Sequence, residues 1–144
     1  MEKYDCLKLE NQLCFPLYVC AKEVVRNYKP FLDEIDLTYT QYIVMMVMWE
    51  HKEVSVKELG KKLFLDSGTL TPLLKNLEKK GLVTRERSKT DERFLVVSIT
   101  DEGMKLREKA VEIPAKVGGC ICLEEQEAMQ LYVIVRKLLG QFEG

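Results

Sequence analysis

A chain of 144 residues, 47% hydrophobic and with a formal net charge of −1, fills one core but not two, so a single domain over 1–144 is expected. It holds no apolar run approaching the ~18 residues of a membrane span, and Met1-Glu2-Lys3-Tyr4-Asp5 has neither the basic nor the apolar region of a signal peptide. A cytoplasmic protein with no membrane partner is expected.

The charge is unevenly placed. Residues 51–93 hold eleven Lys and Arg against seven Asp and Glu, while the remainder is acidic. A basic excess confined to one segment is the electrostatic footprint of a polyanion partner. Five cysteines (Cys6, Cys14, Cys20, Cys120, Cys122) at irregular spacing argue against a secreted disulfide framework and for reduced thiols.

In chain order, Leu13, Leu17, Ala21, Val24, Tyr28 and Phe31 recur at helical spacing and predict a first helix, with Pro16 in its first turn, ending at Asp33–Asp36. Thr38 with Gln41 and Ser55 with Glu58 read as capping boxes, each flanked by an apolar staple pair, Leu37 with Tyr42 and Val54 with Leu59. The helix from Thr38 is expected to send Ile43, Met46, Val47 and Trp49 into the core and to end near Glu50. The helix from Ser55 is short, to about Leu63. A third runs from Asp66 to Lys80, closed by Gly81, unless Thr71-Pro72 is its true start. Leu82–Glu86 and Phe94–Ile99 predict a hairpin around a charged tip, Arg87 to Arg93. Thr100 starts another helix, interrupted at Pro114 and Gly118-Gly119. Ala128, Leu131, Val135, Leu138 and Phe142 then trace a last apolar stripe. The terminal helices carry more apolar face than so small a globule needs, which predicts a homodimer; burial in the chain's own core is the alternative.

Short helix, turn, helix and hairpin is the order of a winged helix-turn-helix, whose second helix enters the major groove of double-stranded DNA. Ser67, Thr69, Thr71, Lys75 and Asn76 offer hydrogen-bonding groups on its early turns. Arg85, Arg87, Lys89 and Arg93 of the wing are placed to meet phosphates or a narrow minor groove, with Asp91 orienting an arginine.

The runs Leu63-Phe-Leu-Asp-Ser-Gly-Thr-Leu-Thr-Pro-Leu-Leu74, Gly81-Leu-Val-Thr-Arg85 and Asp91-Glu-Arg93 resemble the MarR-type repressors. Leu9-Glu-Asn-Gln-Leu-Cys14-Phe15 and Leu37-Thr-Tyr39 resemble their organic-hydroperoxide-sensing, OhrR-type branch. The resemblance spans about Leu7 to the last helix. It implies a mainly α fold with a small β-hairpin: terminal helices at 7–32 and 101–142 dimerise, 38–99 forms the DNA-binding lobe, and the operator is pseudo-palindromic. Cys120-Ile-Cys122 departs from the members that have one cysteine.

A sensor cysteine must be exposed and must attack the O–O bond of a peroxide as thiolate, giving a sulfenic acid. Cys14 is expected at a helix N-terminus, with Tyr18 one turn on. Tyr28 lies ~21 Å along the same helix and cannot touch its own Cys14. An antiparallel pairing of two copies brings Tyr28 and Tyr39 of one to Cys14 of the other, as the resemblance also implies. Cys20 reads as a small buried hydrophobe and Cys6 as part of a mobile N-terminal stretch. Cys120 or Cys122, or a small cellular thiol, can then capture the sulfenic acid. No cofactor and no metal are expected, since His51 is the sole histidine and Cys14 and Cys20 point about 120° apart on a helix. An enzyme is disfavoured for want of a Cys–His pair. The competing reading is a repressor released by a small aromatic ligand rather than by oxidation.

Overall fold

A computed structural model describes residues 2–143. Two 3-10 turns, Asp5–Leu7 and Leu9–Asn11, lead into α1, Cys14–Asp33. Pro16 is its third residue, where a missing N–H costs no helical bond. Cys6 is not in an unstructured stretch but inside the first turn, its thiol donating to the Lys3 carbonyl at 3.6 Å.

α2, Tyr39–His51, starts where both halves of its capping box form. The Thr38 hydroxyl accepts the Gln41 N–H at 3.3 Å, and Gln41 Oε1 accepts the Thr38 N–H at 3.0 Å. Leu37 and Tyr42, its staple pair, are both buried. The face that α2 turns inward differs from the expected one. Val44, Met45 and Met48 are wholly buried, Ile43, Val47 and Trp49 only partly, and Met46 is 46% exposed. Positions 42–49 are apolar without interruption, so the sequence carries no periodic contrast from which to read a face.

α3, Val56–Leu63, is capped by Ser55, whose hydroxyl accepts the Glu58 N–H at 3.1 Å. Among the described residues the reciprocal bond is not formed. Ser55 also ends a strand absent from the sequence reading, β1, Glu53–Ser55, paired antiparallel with Val96–Ser98. α4, Ser67–Lys79, is capped by Asp66, whose carboxylate accepts the Thr69 N–H at 2.7 Å. The later start at Thr71-Pro72 is not used; Pro72 lies inside α4, with the Thr71 hydroxyl bonded back to the Ser67 carbonyl at 2.8 Å. Gly81 follows with φ +77°, a left-handed value that favours glycine.

β2, Val83–Arg87, and β3, Leu95–Ile99, form the hairpin, giving the sheet order β1-β3-β2. α5, Asp101–Ala110, is capped by Thr100; α6, Ile113–Gly118, begins with Pro114 in its first turn; α7, Glu125–Leu139, ends in a 3-10 turn at Gly140–Phe142.

One core cluster joins Leu32, Val44, Met45, Met48, Leu59, Leu70, Leu74, Leu77, Val83 and Val97, with Ala110, Ile113 and Val117 packed from α5 and α6. It stops short at both ends of the chain. On α1 the buried residue is Leu32, while Leu13, Phe15, Leu17 and Tyr18 are exposed; α7 buries none of its residues and exposes Met129, Leu131, Tyr132, Val133 and Ile134. For the same reason Cys20 is exposed rather than buried: among the described residues of α1 only Leu32 is buried.

Candidate functional site

The lobe from α2 to β3 carries the residues that the sequence singled out for DNA. Leu70, Leu74 and Leu77 fix α4 to the core by one face, leaving Ser67, Thr69, Thr71, Lys75 and Asn76 exposed on the rest of the helix. Asp66 holds its charge more firmly than an ordinary aspartate, because the Thr69 N–H and hydroxyl bond to its carboxylate. A carboxylate at the helix N-terminus also suits the helix dipole. Between α3, the start of α4 and the wing lies an open groove of about 1160 Å³, lined by Lys57, Lys61, Lys62, Phe64, Arg87 and Arg93 among others.

At the wing tip, Ser88 Oγ accepts the Thr90 and Asp91 N–H groups, each at 3.3 Å. Asp91 then takes a two-pronged bond from Arg93, Nε at 3.0 Å and Nη2 at 2.8 Å, while the Arg93 side chain stays 85% exposed. That pairing lowers the Asp91 pKa and raises that of Arg93. Asp91 thereby holds the exposed Arg93 guanidinium in one orientation. Arg87 and Lys89 are exposed beside it.

Arg85 is placed differently from the other wing cations. Its side chain is 18% exposed; Nη2 donates to Glu78 Oε1 at 3.1 Å and its backbone N–H to Glu78 Oε2 at 3.0 Å. It ties β2 to α4 and leaves no free charge for a phosphate. Glu78 was missed from sequence, because nothing local marks it as a partner seven residues away.

The thiol residues divide into two groups. Cys14 is the first residue of α1 and exposed, with Leu13 83% and Phe15 41% exposed on either side. Tyr18 lies one turn on, exposed, with the Lys22 ammonium 5.6 Å from its ring centre. Tyr28 and Tyr39 instead meet each other at the opposite end of α1, ring centres 5.0 Å apart, and Tyr42 joins them at 5.7 Å and 6.3 Å. Burial first, then the neighbouring Tyr28, pushes the Tyr39 and Tyr42 hydroxyls above their ordinary pKa, so both are hydrogen-bond donors at neutral pH. Fourteen residues of continuous helix, ~21 Å, separate Tyr28 from Cys14. Within one subunit the tyrosine pair and the thiol do not meet.

The tyrosine corner is wired to α4. Lys80, the C-cap of α4, donates to the Asp36 carbonyl and, at 3.2 Å, to Gln41 Oε1. Gln41, 4% exposed, is the buried polar residue whose amide also fixes the start of α2. Sequence reasoning missed this contact, which joins residues 39 and 44 positions apart. Cys120 and Cys122 lie on the turn between α6 and α7 and are exposed. Among the described residues no group of three or more His, Cys, Asp or Glu is arranged to hold a metal ion, and no helix is long and apolar enough to cross a membrane.

Residues 26–110 match the family model described as transcriptional regulator SarA/Rot. The chain is 47% identical over 137 residues to an organic hydroperoxide resistance transcriptional regulator of Bacillus subtilis, covering 95% of this chain and 93% of that protein. Among solved structures it resembles reduced AbfR bound to DNA with a TM-score of 0.82 and 33% identity, covering 97% of this chain and 96% of that one; AbfR is a protein of Staphylococcus epidermidis. Disulfide-formed AbfR is less similar in shape, with a TM-score of 0.64 at 32% identity, covering 96% and 92%.

Proposed function

The chain belongs to the MarR/SarA family of winged-helix, DNA-binding transcriptional regulators, which are not enzymes, and on that premise we propose that it is a homodimeric repressor that releases a pseudo-palindromic operator when organic hydroperoxide oxidises Cys14. The observation that carries the reading is the division of the sensor between the two ends of α1. An exposed thiol sits at one end and a pair of packed tyrosines at the other, with exposed apolar surface on α1 and α7. Antiparallel pairing of two copies through those faces puts the thiol of one against Tyr28 and Tyr39 of the other, and their hydroxyls hydrogen-bond the peroxide oxygens as the O–O bond breaks. Reading falls to Ser67, Thr69, Thr71, Lys75 and Asn76 on α4 and to Arg87, Lys89 and Arg93 on the wing. Arg85 and Asp91 hold that wing in place.

Cys14 becomes a sulfenic acid as the hydroperoxide becomes an alcohol. Cys120 or Cys122 of the second subunit, or a small thiol, then displaces water to give a disulfide. The AbfR shapes support this reading. The fold described here is nearer the two DNA-bound forms, reduced at a TM-score of 0.82 and overoxidised at 0.78, than the disulfide form at 0.64, which favours a disulfide rather than oxidation of one thiol alone as the step that changes the shape.

Operator binding followed by fluorescence anisotropy tests the reading. Wild type is expected to dissociate on addition of cumene hydroperoxide and to ignore a salicylate-like compound. Cys14→Ser is expected to bind normally and to ignore both. Release of Cys14→Ser by peroxide removes Cys14 as sensor; release of wild type by the aromatic acid alone favours a ligand-controlled repressor.

A further inference from the structure

The turn between α6 and α7 holds two thiols where capture of a sulfenic acid needs one. Both are exposed. The chain folds back on itself there: Cys120 N–H donates to the Val117 carbonyl at 2.9 Å, Ile121 N–H to Gly118 at 3.2 Å, and Leu123 N–H to Ile121 at 3.2 Å. The last of these closes a three-residue turn centred on Cys122. Two residues apart, Cys120 and Cys122 have Cα atoms within ~7 Å even in a fully extended chain, and the chain bends at Ile121 between them, which shortens that span toward the separation a disulfide needs. The two thiols are held differently. The Cys120 thiol donates to the Lys116 carbonyl at 3.5 Å, while Cys122 has no hydrogen-bond partner among the described residues.

We propose that Cys120 and Cys122 form a dithiol relay that clears the sensor: Cys122 captures oxidised Cys14 of the other subunit, and Cys120 then displaces Cys14 and closes a Cys120–Cys122 disulfide. This rests on the reading that Cys14 is oxidised first. The steps balance. Cys14 attacks an organic hydroperoxide, giving Cys14 sulfenic acid and the alcohol. The Cys122 thiol attacks the sulfenic sulfur, forming a Cys14–Cys122 bond and releasing water. The Cys120 thiolate attacks the Cys122 sulfur, the Cys14–Cys122 bond breaks, and Cys14 leaves as thiolate, taking up the proton that Cys120 gave up. In sum, one hydroperoxide and one dithiol become alcohol, water and one disulfide confined to a loop. Because Cys120 and Cys122 share one short turn, the second exchange is intramolecular and meets a high effective concentration. The operator-binding form then returns without an external thiol, and the repressor's silence becomes a timed pulse.

The test treats full-length reduced protein with stoichiometric cumene hydroperoxide, without added thiol, and follows non-reducing gels, peptide masses and operator binding together. Wild type is expected to pass through a covalent dimer to a monomer band. Its Cys120–Cys122 peptide should then be lighter by two hydrogens, with Cys14 open to alkylation and operator binding regained. Cys120→Ser is expected to stop as a Cys14–Cys122 covalent dimer that stays off the operator until reductant is added, and Cys122→Ser, left with the thiol bonded to the Lys116 carbonyl, to form a covalent dimer more slowly; equal rates in the two variants overturn the assigned order. A wild-type protein that ends as a stable covalent dimer, or whose loop thiols remain open to alkylation, overturns the relay. So does a Cys14→Ser protein whose loop disulfide forms as fast as in wild type. Peroxide-driven release of Cys14→Ser from DNA, by contrast, overturns the sensor reading on which the relay rests.

Discussion

Gly60→Ala isolates the joint that sets the reading helix. A Cβ built on Gly60 lies 2.7 Å from the Leu65 carbonyl oxygen and 3.1 Å from Leu70 Cδ1, the first of these about 0.6 Å short of an ordinary carbon–oxygen contact of roughly 3.3 Å. The Leu65 carbonyl cannot simply withdraw. The Leu65 N–H is bonded to the Gly60 carbonyl at 3.0 Å, and the same carbonyl accepts the N–H of Phe64, which is in the left-handed conformation at φ 56°. Helix propensity alone favours alanine here by about 1 kcal/mol. Overpacking against backbone costs about 1–3 kcal/mol, toward the upper end where little can yield. The net expectation is a loss of about 1–2 kcal/mol, read as a fall of roughly 3–7 °C in Tm, together with weaker operator binding as α4 is pushed away from α3. Gly118→Ala is the contrast, since its Cβ would meet nothing within 4 Å and the propensity gain stands unopposed. Denaturation and anisotropy titration of the two variants decide the matter. A Gly60→Ala protein as stable as wild type, with operator affinity unchanged, refutes the account of the joint.

Arg93→Ala is expected to weaken operator binding by roughly five- to a hundredfold and to flatten its salt dependence, whereas Arg85→Ala should first lower stability, because Arg85 holds β2 to Glu78. An Arg93→Ala protein with wild-type affinity and salt slope counts against the wing. Burial raises the Tyr39 and Tyr42 pKa values above 10.0, so the stability tied to these neutral rings is complete below pH 10 and is lost as pH rises through their folded values. A near-ultraviolet absorbance titration should show two tyrosines ionising late, and early titration of all six refutes this. Lys80→Met removes an ammonium that is one-quarter exposed and bonds Asp36 and Gln41; after allowing for that exposure it should cost about 1–2 kcal/mol in chemical denaturation, and a neutral result refutes the bracing role.

Signals written within four residues of chain were legible. Thr38, Ser55, Asp66 and Thr100 each satisfy a backbone N–H three residues on, and that requirement is visible in the sequence itself. Signals that depend on a distant surface were not. Glu53–Ser55 has no strand character of its own and is extended because β3 offers it partners at Val96–Ser98. The inner face of α2 is chosen by what surrounds it. The Arg85–Glu78 pair was hidden for a related reason: an arginine in a basic wing reads as a free cation until its burial is known.

The same distinction bears on how, in the proposed mechanism, oxidation at one end of α1 would reach α4. Tyr39 opens α2, and the Thr38 N–H before it shares the Gln41 side-chain oxygen with Lys80. Lys80 in turn closes α4 and holds the Asp36 carbonyl, in a corner where Asp36 itself takes φ 54°. A non-glycine residue held at positive φ persists only where its surroundings over-determine it. Hydrogen bonds from a buried amide and a charged donor are directional and costly to break singly. The corner between α1 and α2 and the end of α4 therefore move together or lose bonds. On the proposed pairing, a shift imposed on Tyr28 and Tyr39 by an oxidised thiol from the second subunit would have a stiff route to α4. Nothing comparable is needed at Cys14 itself, where Leu13, Phe15, Leu17 and Tyr18 are exposed.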